Sequence, residues 1–135
     1  MKIIHGEEIR AALKNHYRVY LCGKHLIPES FEILETDGLE IGITHYDKYT
    51  LEKPHYHKWN KEYNIILSGK VKVLLIDENK EYEFCKDDIF AIEANMNYIA
   101  KAQEGTKVLF VKSPGGNDKC VIEMNENLEI WGKTW

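Results

Sequence analysis

The chain has 135 residues, a mass of 15.8 kDa and a formal net charge of -4, which fits one globular domain with a single core. Hydrophobic residues make up 44% and charged residues 30%, a composition that argues against disorder. Lysines and glutamates are interspersed without a basic block, so neither nucleic acid nor an anionic membrane is indicated as a partner. No apolar run has the length of a transmembrane helix and no signal-peptide core is visible, so we expect a cytoplasmic protein.

The first part of the chain predicts one helix followed by strands. Residues 6–14 begin with acidic side chains, end with a basic one and place their apolar residues on one side, which indicates a short amphipathic helix. Residues 17–22 are β-prone. Residues 31–36 alternate and precede an Asp-Gly hairpin signal at 37–38, so we expect them to pair with a strand at 39–46.

One histidine of that strand is a candidate for the protein interior. The apolar side chains at 39, 41 and 43 share one face of the strand, and His45 continues it. We therefore expect His45 to point inward. Three other histidines are interpreted as structural: His5, His16 and His25.

The rest of the chain predicts short strands separated by turns, with residues 113–118 as a plain loop. Further strands are expected at 63–67, 70–76, 81–84, 89–92, 98–102, 106–112 and 120–124. Strands this short, with turn signals about every 8 to 12 residues, indicate an all-β sandwich or barrel.

Two smaller features concern the cysteines and the tail. Three cysteines stand far apart and odd in number, which favours free, buried thiols: Cys22, Cys85 and Cys120. Residues 125–135 are expected to form a helical or extended tail, in which Leu128, Trp131 and Trp135 lie at helical spacing on one side. They are expected to cover the barrel or a partner subunit, and we prefer a homodimer contact because two exposed tryptophans would be unusual.

The most informative stretch contains two histidines and a glutamate. His55 and His57 stand two apart in an extended run, so both imidazoles leave the same face of a strand. Glu62 follows after a short polar break, at the start of the next strand. Two imidazoles and a carboxylate form a three-ligand set with open positions, suited to one divalent iron, manganese, nickel or zinc ion.

The same stretch resembles the first motif of the cupin superfamily, His-x-His, four residues, Glu, six residues, Gly, filled by His55, His57, Glu62 and Gly69. The resemblance implies a single cupin domain over 1–135, an antiparallel jelly-roll barrel with its core at about 30–124, and a divalent metal inside it. One departure is Tyr49, which stands where the family usually has Gly.

The second cupin motif is degenerate in this chain. Asp88 keeps its place, Glu93 stands at the usual Pro, and Asn95 at the usual Gly, where Asn is tolerated because it accepts positive φ. Tyr98 replaces the histidine that is the family's last ligand. It could ligate the metal as phenolate, act beside the metal as an acid or base, or only fill the barrel.

Three functions fit these residues. The leading one is a metal-dependent enzyme of oxygenase, isomerase or lyase type acting on a small polar molecule, with Tyr98, or Tyr63 if it points inward, as the acid/base. The second is a non-catalytic module that binds a small ligand or senses a metal. The third is a metal-independent epimerase or isomerase in which His and Tyr move protons, as the resemblance also allows.

Overall fold

The computed structural model describes residues 1–23, 31–36 and 38–135, and within them the chain is mostly β. Its elements in chain order are α1 (Gly6–Leu13), β1 (Arg18–Cys22), β2 (Glu40–Tyr46), β3 (Thr50–Leu51), β4 (His55–His57), β5 (Lys61–Ser68), β6 (Lys70–Leu75), β7 (Lys80–Cys85), β8 (Ile89–Ile92), β9 (Tyr98–Ala102), β10 (Thr106–Ser113), β11 (Lys119–Val121) and α2 (Glu126–Lys133). The all-β prediction and both helical segments are confirmed.

The strands form two antiparallel sheets with the main core between them. The first sheet has the order β1-β2-β10-β5-β8, and the second has the order β11-β4-β9-β6-β7, with β3 paired to β9. Buried side chains from both sheets pack together in this core: Tyr46, Ile66, Val71, Val73, Ile92, Tyr98, Ala102 and Val108. Since β4 and β5 belong to different sheets, the turn between them carries the chain from one wall of the core to the other.

The predicted inward face of β2 is wrong. Thr44 and Tyr46 point to the interior, whereas Ile43 packs on the outside against a cluster formed by α1 and β1. His45 follows Ile43 on that outer face. The helix and β1 cover Ile43 in part, so alternation predicted correctly that this face is covered but not which element covers it.

Residues 31–36 do not form the expected hairpin strand. They make only an isolated bridge, between Leu34 and Cys22. The physical reason is that β2 is already paired with β1 on one edge and with β10 on the other. The expected turn residue Asp37 and the histidine His25 lie outside the described residues.

The C-terminal helix covers the outer face of the second sheet. Leu128 is buried against Leu74 and Ile99, and the indole N–H of Trp131 donates to Glu81 at 2.6 Å. The ammonium of Lys101 lies 3.9 Å from the ring centre of Trp131. The tail therefore covers the barrel, which is one of the two roles predicted for it. The other role, a homodimer contact, stays a prediction.

The described cysteines are free thiols, as expected, but they are not buried. Cys85 is exposed, and Cys22 and Cys120 are half-buried. Among the residues that the structure describes, neither helix is both long enough and apolar enough to cross a membrane.

The glycine that ends the first motif makes a testable contribution to stability. Gly69 has φ of +77°, and a Cβ there would lie 2.6 Å from the Cα of Thr106. Gly105 has a similar φ of +83° but open space around it. We expect Gly105→Ala to lower the free energy of unfolding by about 1 kcal/mol through backbone strain, and Gly69→Ala by about 2–4 kcal/mol through strain plus the clash. Urea denaturation measures both, and equal losses would show that the Thr106 contact is unimportant.

Candidate functional site

The four side chains predicted to form the site meet in one buried place between the sheets. His55 and His57 lie on β4, and each is only 3% exposed. Tyr98, at the start of β9, pairs directly with His55 across the second sheet. Glu62 reaches the same place from β5 in the opposite sheet, with a carboxylate oxygen 3.5 Å from Nε2 of His57. The motif therefore closes across the core, with the two histidines in one sheet and Glu62 in the other.

An aspartate from a distant loop fixes the ring of His57. Nδ1 of His57 lies 2.7 Å from Oδ1 of Asp118. The other oxygen of Asp118 accepts the backbone N–H groups of Trp59, at 3.0 Å, and Asn60, at 2.8 Å. Burial raises the pKa of Asp118, but these hydrogen bonds outweigh it and hold the pKa below its usual value. The carboxylate is therefore ionised, so Nδ1 of His57 carries a proton and donates it to Asp118. In the neutral tautomer this leaves Nε2 as the acceptor.

A backbone carbonyl fixes His55 in the same tautomer. Its Nδ1 lies 2.7 Å from the carbonyl oxygen of Lys53, which can only accept a hydrogen bond. Nδ1 is therefore protonated, and Nε2 accepts from the hydroxyl of Tyr98 at 2.7 Å. Burial lowers the pKa of His55 to about 4, so this imidazole is neutral at neutral pH.

The hydroxyl of Tyr98 lies between the two imidazoles. It is 2.7 Å from Nε2 of His55 and 3.4 Å from Nε2 of His57. Burial, followed by the charges of Glu62 and Glu52, raises the pKa of Tyr98 well above its usual value. The phenol therefore keeps its proton and directs it at His55, which leaves Nε2 of His57 without a donor from this hydroxyl.

The turn before Tyr98 is built as the degenerate second motif predicts. Asn95 has φ of +64°, the left-handed conformation for which it stands in place of glycine. Its backbone N–H donates to the carbonyl of His57 at 2.7 Å. The β8–β9 turn is thereby tied to β4, which places Tyr98 beside His55.

The cavity next to these groups is small and lined by charges. It has a volume of about 60 Å³, enough for a few water molecules or part of a small molecule. Glu52 lies on its wall, where its carboxylate accepts from the hydroxyl of Tyr46 at 2.5 Å and lies 3.8 Å from the guanidinium of Arg18. Burial raises the pKa of Glu52, but Arg18 and then Tyr46 outweigh it, so the pKa is lowered and the group is ionised.

Tyr63, the alternative acid/base, does not reach the cavity. On β5 the inward positions are Glu62 and Asn64, which line the cavity, and Tyr63 between them faces outward. The ammonium of Lys61 lies 5.3 Å from the centre of its ring on the outer surface. Tyr98 is therefore the tyrosine of the predicted pair that belongs to the site.

The donor atoms can be compared with the metal site predicted from the sequence. Two imidazole nitrogens, a carboxylate and a phenol are chemically suited to iron, manganese, nickel or zinc. Among the described residues, however, no three His, Cys, Asp or Glu side chains are grouped closely enough to hold an ion. The hydroxyl of Tyr98 lies between the two Nε2 atoms that would bind the ion. The described arrangement is a hydrogen-bonded network, and the metal stays a prediction.

Comparisons with known proteins identify the architecture. No protein-family model and no curated protein matches the chain. Many solved structures resemble it, including the following three. KdgF from Halomonas sp. is 22% identical, with a TM-score of 0.56 over 64% of this chain and 77% of that one. The nucleoside dehydratase Pac13 from Streptomyces is 9% identical, with a TM-score of 0.56 over 65% and 71%. An RmlC-like cupin from Shewanella frigidimarina is 17% identical, with a TM-score of 0.53 over 61% and 71%. The chain has the cupin fold.

Within this cupin fold, the site contains two acidic groups that were not predicted from the sequence. Asp118 lies 61 residues from His57, in the loop that was expected to be a plain turn. Glu52 precedes the first motif and matches no position of it. Neither residue has a local sequence signal, because each acts through a partner that only the packing of the two sheets brings near.

We expect Asp118→Asn to disturb His57 specifically. Losing a buried carboxylate that accepts several hydrogen bonds should lower the free energy of unfolding by about 1–3 kcal/mol. In proton NMR spectra, the Nδ1–H signal of His57 should shift or disappear, whereas the Nδ1–H signal of His55, held by Lys53, should remain. Asp47→Asn, in an exposed turn, is the matched control. An unchanged His57 signal together with unchanged stability would contradict the role assigned to Asp118.

Proposed function

We propose that this chain is an enzyme that moves a proton on a small polar molecule, with His57 as the general base and Tyr98 as the acid. The observation that carries the proposal is the pair formed by His57 and the ionised Asp118, with Nε2 of His57 next to the hydroxyl of Tyr98. An imidazole oriented by a carboxylate is a common general base, because the carboxylate fixes the tautomer and stabilises the imidazolium that forms.

The proton path follows from the tautomers. Nε2 of His57 takes a proton from carbon beside a carbonyl group of the substrate. The new imidazolium then lies between two carboxylates, with Asp118 at Nδ1 and an oxygen of Glu62 at 3.5 Å from Nε2. Both carboxylates therefore lie beside the ring on which positive charge develops during the proton transfer.

Tyr98 acts on the oxygen of the same carbonyl group. Its raised pKa makes it a weak acid, suited to hydrogen bonding with an oxygen that gains negative charge as the carbon loses its proton. To do this, the hydroxyl turns its single proton from Nε2 of His55 toward that oxygen. Without substrate, the neutral His55, fixed by Lys53, is the acceptor that holds the phenol in place. Protonation of that carbon on its opposite face completes an epimerisation, and protonation of the neighbouring carbon completes an isomerisation. Loss of a leaving group from the neighbouring carbon, which takes up a proton as it leaves, completes a dehydration or lyase reaction.

The size of the cavity and the comparisons agree with this chemistry. A volume of about 60 Å³ beside the site groups favours a substrate with few atoms at its reacting end. One of the solved structures that resemble the chain is the nucleoside dehydratase Pac13. At 9% identity this likeness concerns the fold, and it supports the proposal only because such a fold can host dehydration.

Hydrogen exchange in heavy water tests the proposal without knowledge of the complete reaction. The protein is incubated in D₂O with a panel of small hydroxy ketones, aldoses and oxo acids, and NMR follows replacement of the hydrogen beside the carbonyl group. We expect wild-type protein to catalyse exchange in at least one compound. His57→Gln and Tyr98→Phe should each slow it by about 10²- to 10⁴-fold, which is the usual contribution of general acid–base groups.

Two substitutions of the same type on the outer surface serve as controls. His45→Gln and Tyr63→Phe should leave the exchange rate unchanged, because neither side chain reaches the cavity. Exchange that survives in both His57→Gln and Tyr98→Phe would contradict the assigned roles. Tight binding of a compound at the cavity without exchange or turnover would instead support the alternative of a non-catalytic binding module.

The second candidate is a metal-dependent enzyme, and one observation favours it. Both histidines have their Nδ1 atoms engaged, at Lys53 and Asp118, so both Nε2 lone pairs face the same space. Ligating histidines are held in this way in metalloproteins. In this version His55, His57 and Glu62, with or without Tyr98, hold one divalent iron, manganese, nickel or zinc ion, which when bound would polarise a carbonyl group or activate oxygen.

Metal analysis separates the two candidates. Protein purified without added metal should contain close to one equivalent of a transition metal if the metal-dependent version holds, and His57→Ala should lose it. The proton-transfer proposal expects occupancy near zero in both proteins and no effect of a chelator on hydrogen exchange. Stoichiometric metal that depends on His57, together with exchange abolished by the chelator, would overturn it.

A further inference from the structure

Three cations line the cavity, and two of them have partners. The guanidinium of Arg18 donates to Thr44 at 2.9 Å and lies 3.8 Å from the carboxylate of Glu52. The ammonium of Lys112 lies 3.5 Å from a carboxylate oxygen of Glu40. These two side chains are therefore held by the protein itself. The third cation is Lys119, on β11.

Lys119 differs from the other two because no residue that the structure describes pairs with its charge. Among the residues that the structure describes, its ammonium makes no hydrogen bond and no ion pair. Glu52 and Glu62 lie close enough to act on its charge, but neither is within ion-pair distance. A lysine on the wall of a small cavity, without a carboxylate of its own, has its donors available to a ligand.

Lys119 lies beside His57, the proposed general base, in the second sheet. Lys119 is the residue directly opposite His57 in the antiparallel pairing of β4 and β11. Residues opposed in this way have Cβ atoms about 4.5–5.5 Å apart. A group bound by the ammonium would therefore lie within a few bonds of an atom that His57 can reach.

We infer that the substrate is a short carboxylate, a hydroxy or oxo acid, whose carboxylate group is bound by Lys119. This inference rests on the proposed proton transfer, since it names the substrate class for that reaction. One free ammonium matches the single charge of a carboxylate. A phosphate monoester carries a charge of about -1.5 to -2 at neutral pH, and its additional charge would face Glu52 and Glu62 with no second free cation in the described cavity.

Matched pairs of small molecules test the inference through binding, independently of catalysis. Calorimetry compares the binding of lactate with that of lactamide, and of glycolate with that of glycolamide. Comparing glycerol 3-phosphate with glycerol shows whether a phosphate binds more tightly than a carboxylate. We expect wild-type protein to bind the carboxylate of each acid–amide pair about tenfold more tightly than the amide. Lys119→Met should bring that ratio close to one, and Lys119→Arg should retain most of it.

The control is Lys86→Met, an exposed lysine in the turn before β8, which should leave the ratio unchanged. Equal binding of acids and amides to wild type, absence of binding by any acid, or a preference that survives in Lys119→Met would overturn the inference. A phosphate that binds more tightly than the carboxylates would also overturn it. None of these results bears on the exchange experiment with His57→Gln and Tyr98→Phe, so the two proposals can fail separately.

Discussion

The contact between Asp118 and His57 is the interaction on which the site depends. The loop that carries Asp118 joins β10 of the first sheet to β11 of the second, and the side chain is fully enclosed. There the carboxylate accepts from His57 and from the backbone of Trp59 and Asn60, in the turn that carries the chain from β4 to β5. One group thus sets the tautomer of His57 and the path of the chain toward Glu62.

The chemistry of the site follows from where that contact places protons. Asp118 and the carbonyl of Lys53 each draw an Nδ1 proton, so both histidines present Nε2 as an acceptor. Tyr98 has one proton and gives it to His55, at the shorter distance. Nε2 of His57 is then an acceptor that faces the carboxylate of Glu62. Two acceptors in contact are stabilised by a cation or by a proton, so the same geometry suits a metal or a general base.

The sequence predicted the features that arise from short-range geometry. His55 and His57 share a face because side chains alternate along a strand. Asn95, which stands where the second motif usually has glycine, adopts the positive φ expected there. The inward face of β2 could not be predicted, because alternation shows that a face is covered but not whether α1 or the opposite sheet covers it. Asp118 could not be predicted either, since it meets His57 only after the two sheets assemble.

A neutron crystal structure at neutral pH would locate the protons and any ion in the site in one experiment. If His57 is the general base, deuterium should lie on Nδ1 of both His55 and His57, and on the hydroxyl of Tyr98 in the direction of Nε2 of His55. No metal should lie between the two rings. A metal ion bound to both Nε2 atoms, with Tyr98 deprotonated or turned away from His55, would show that the site is a metal centre and not a proton-transfer network.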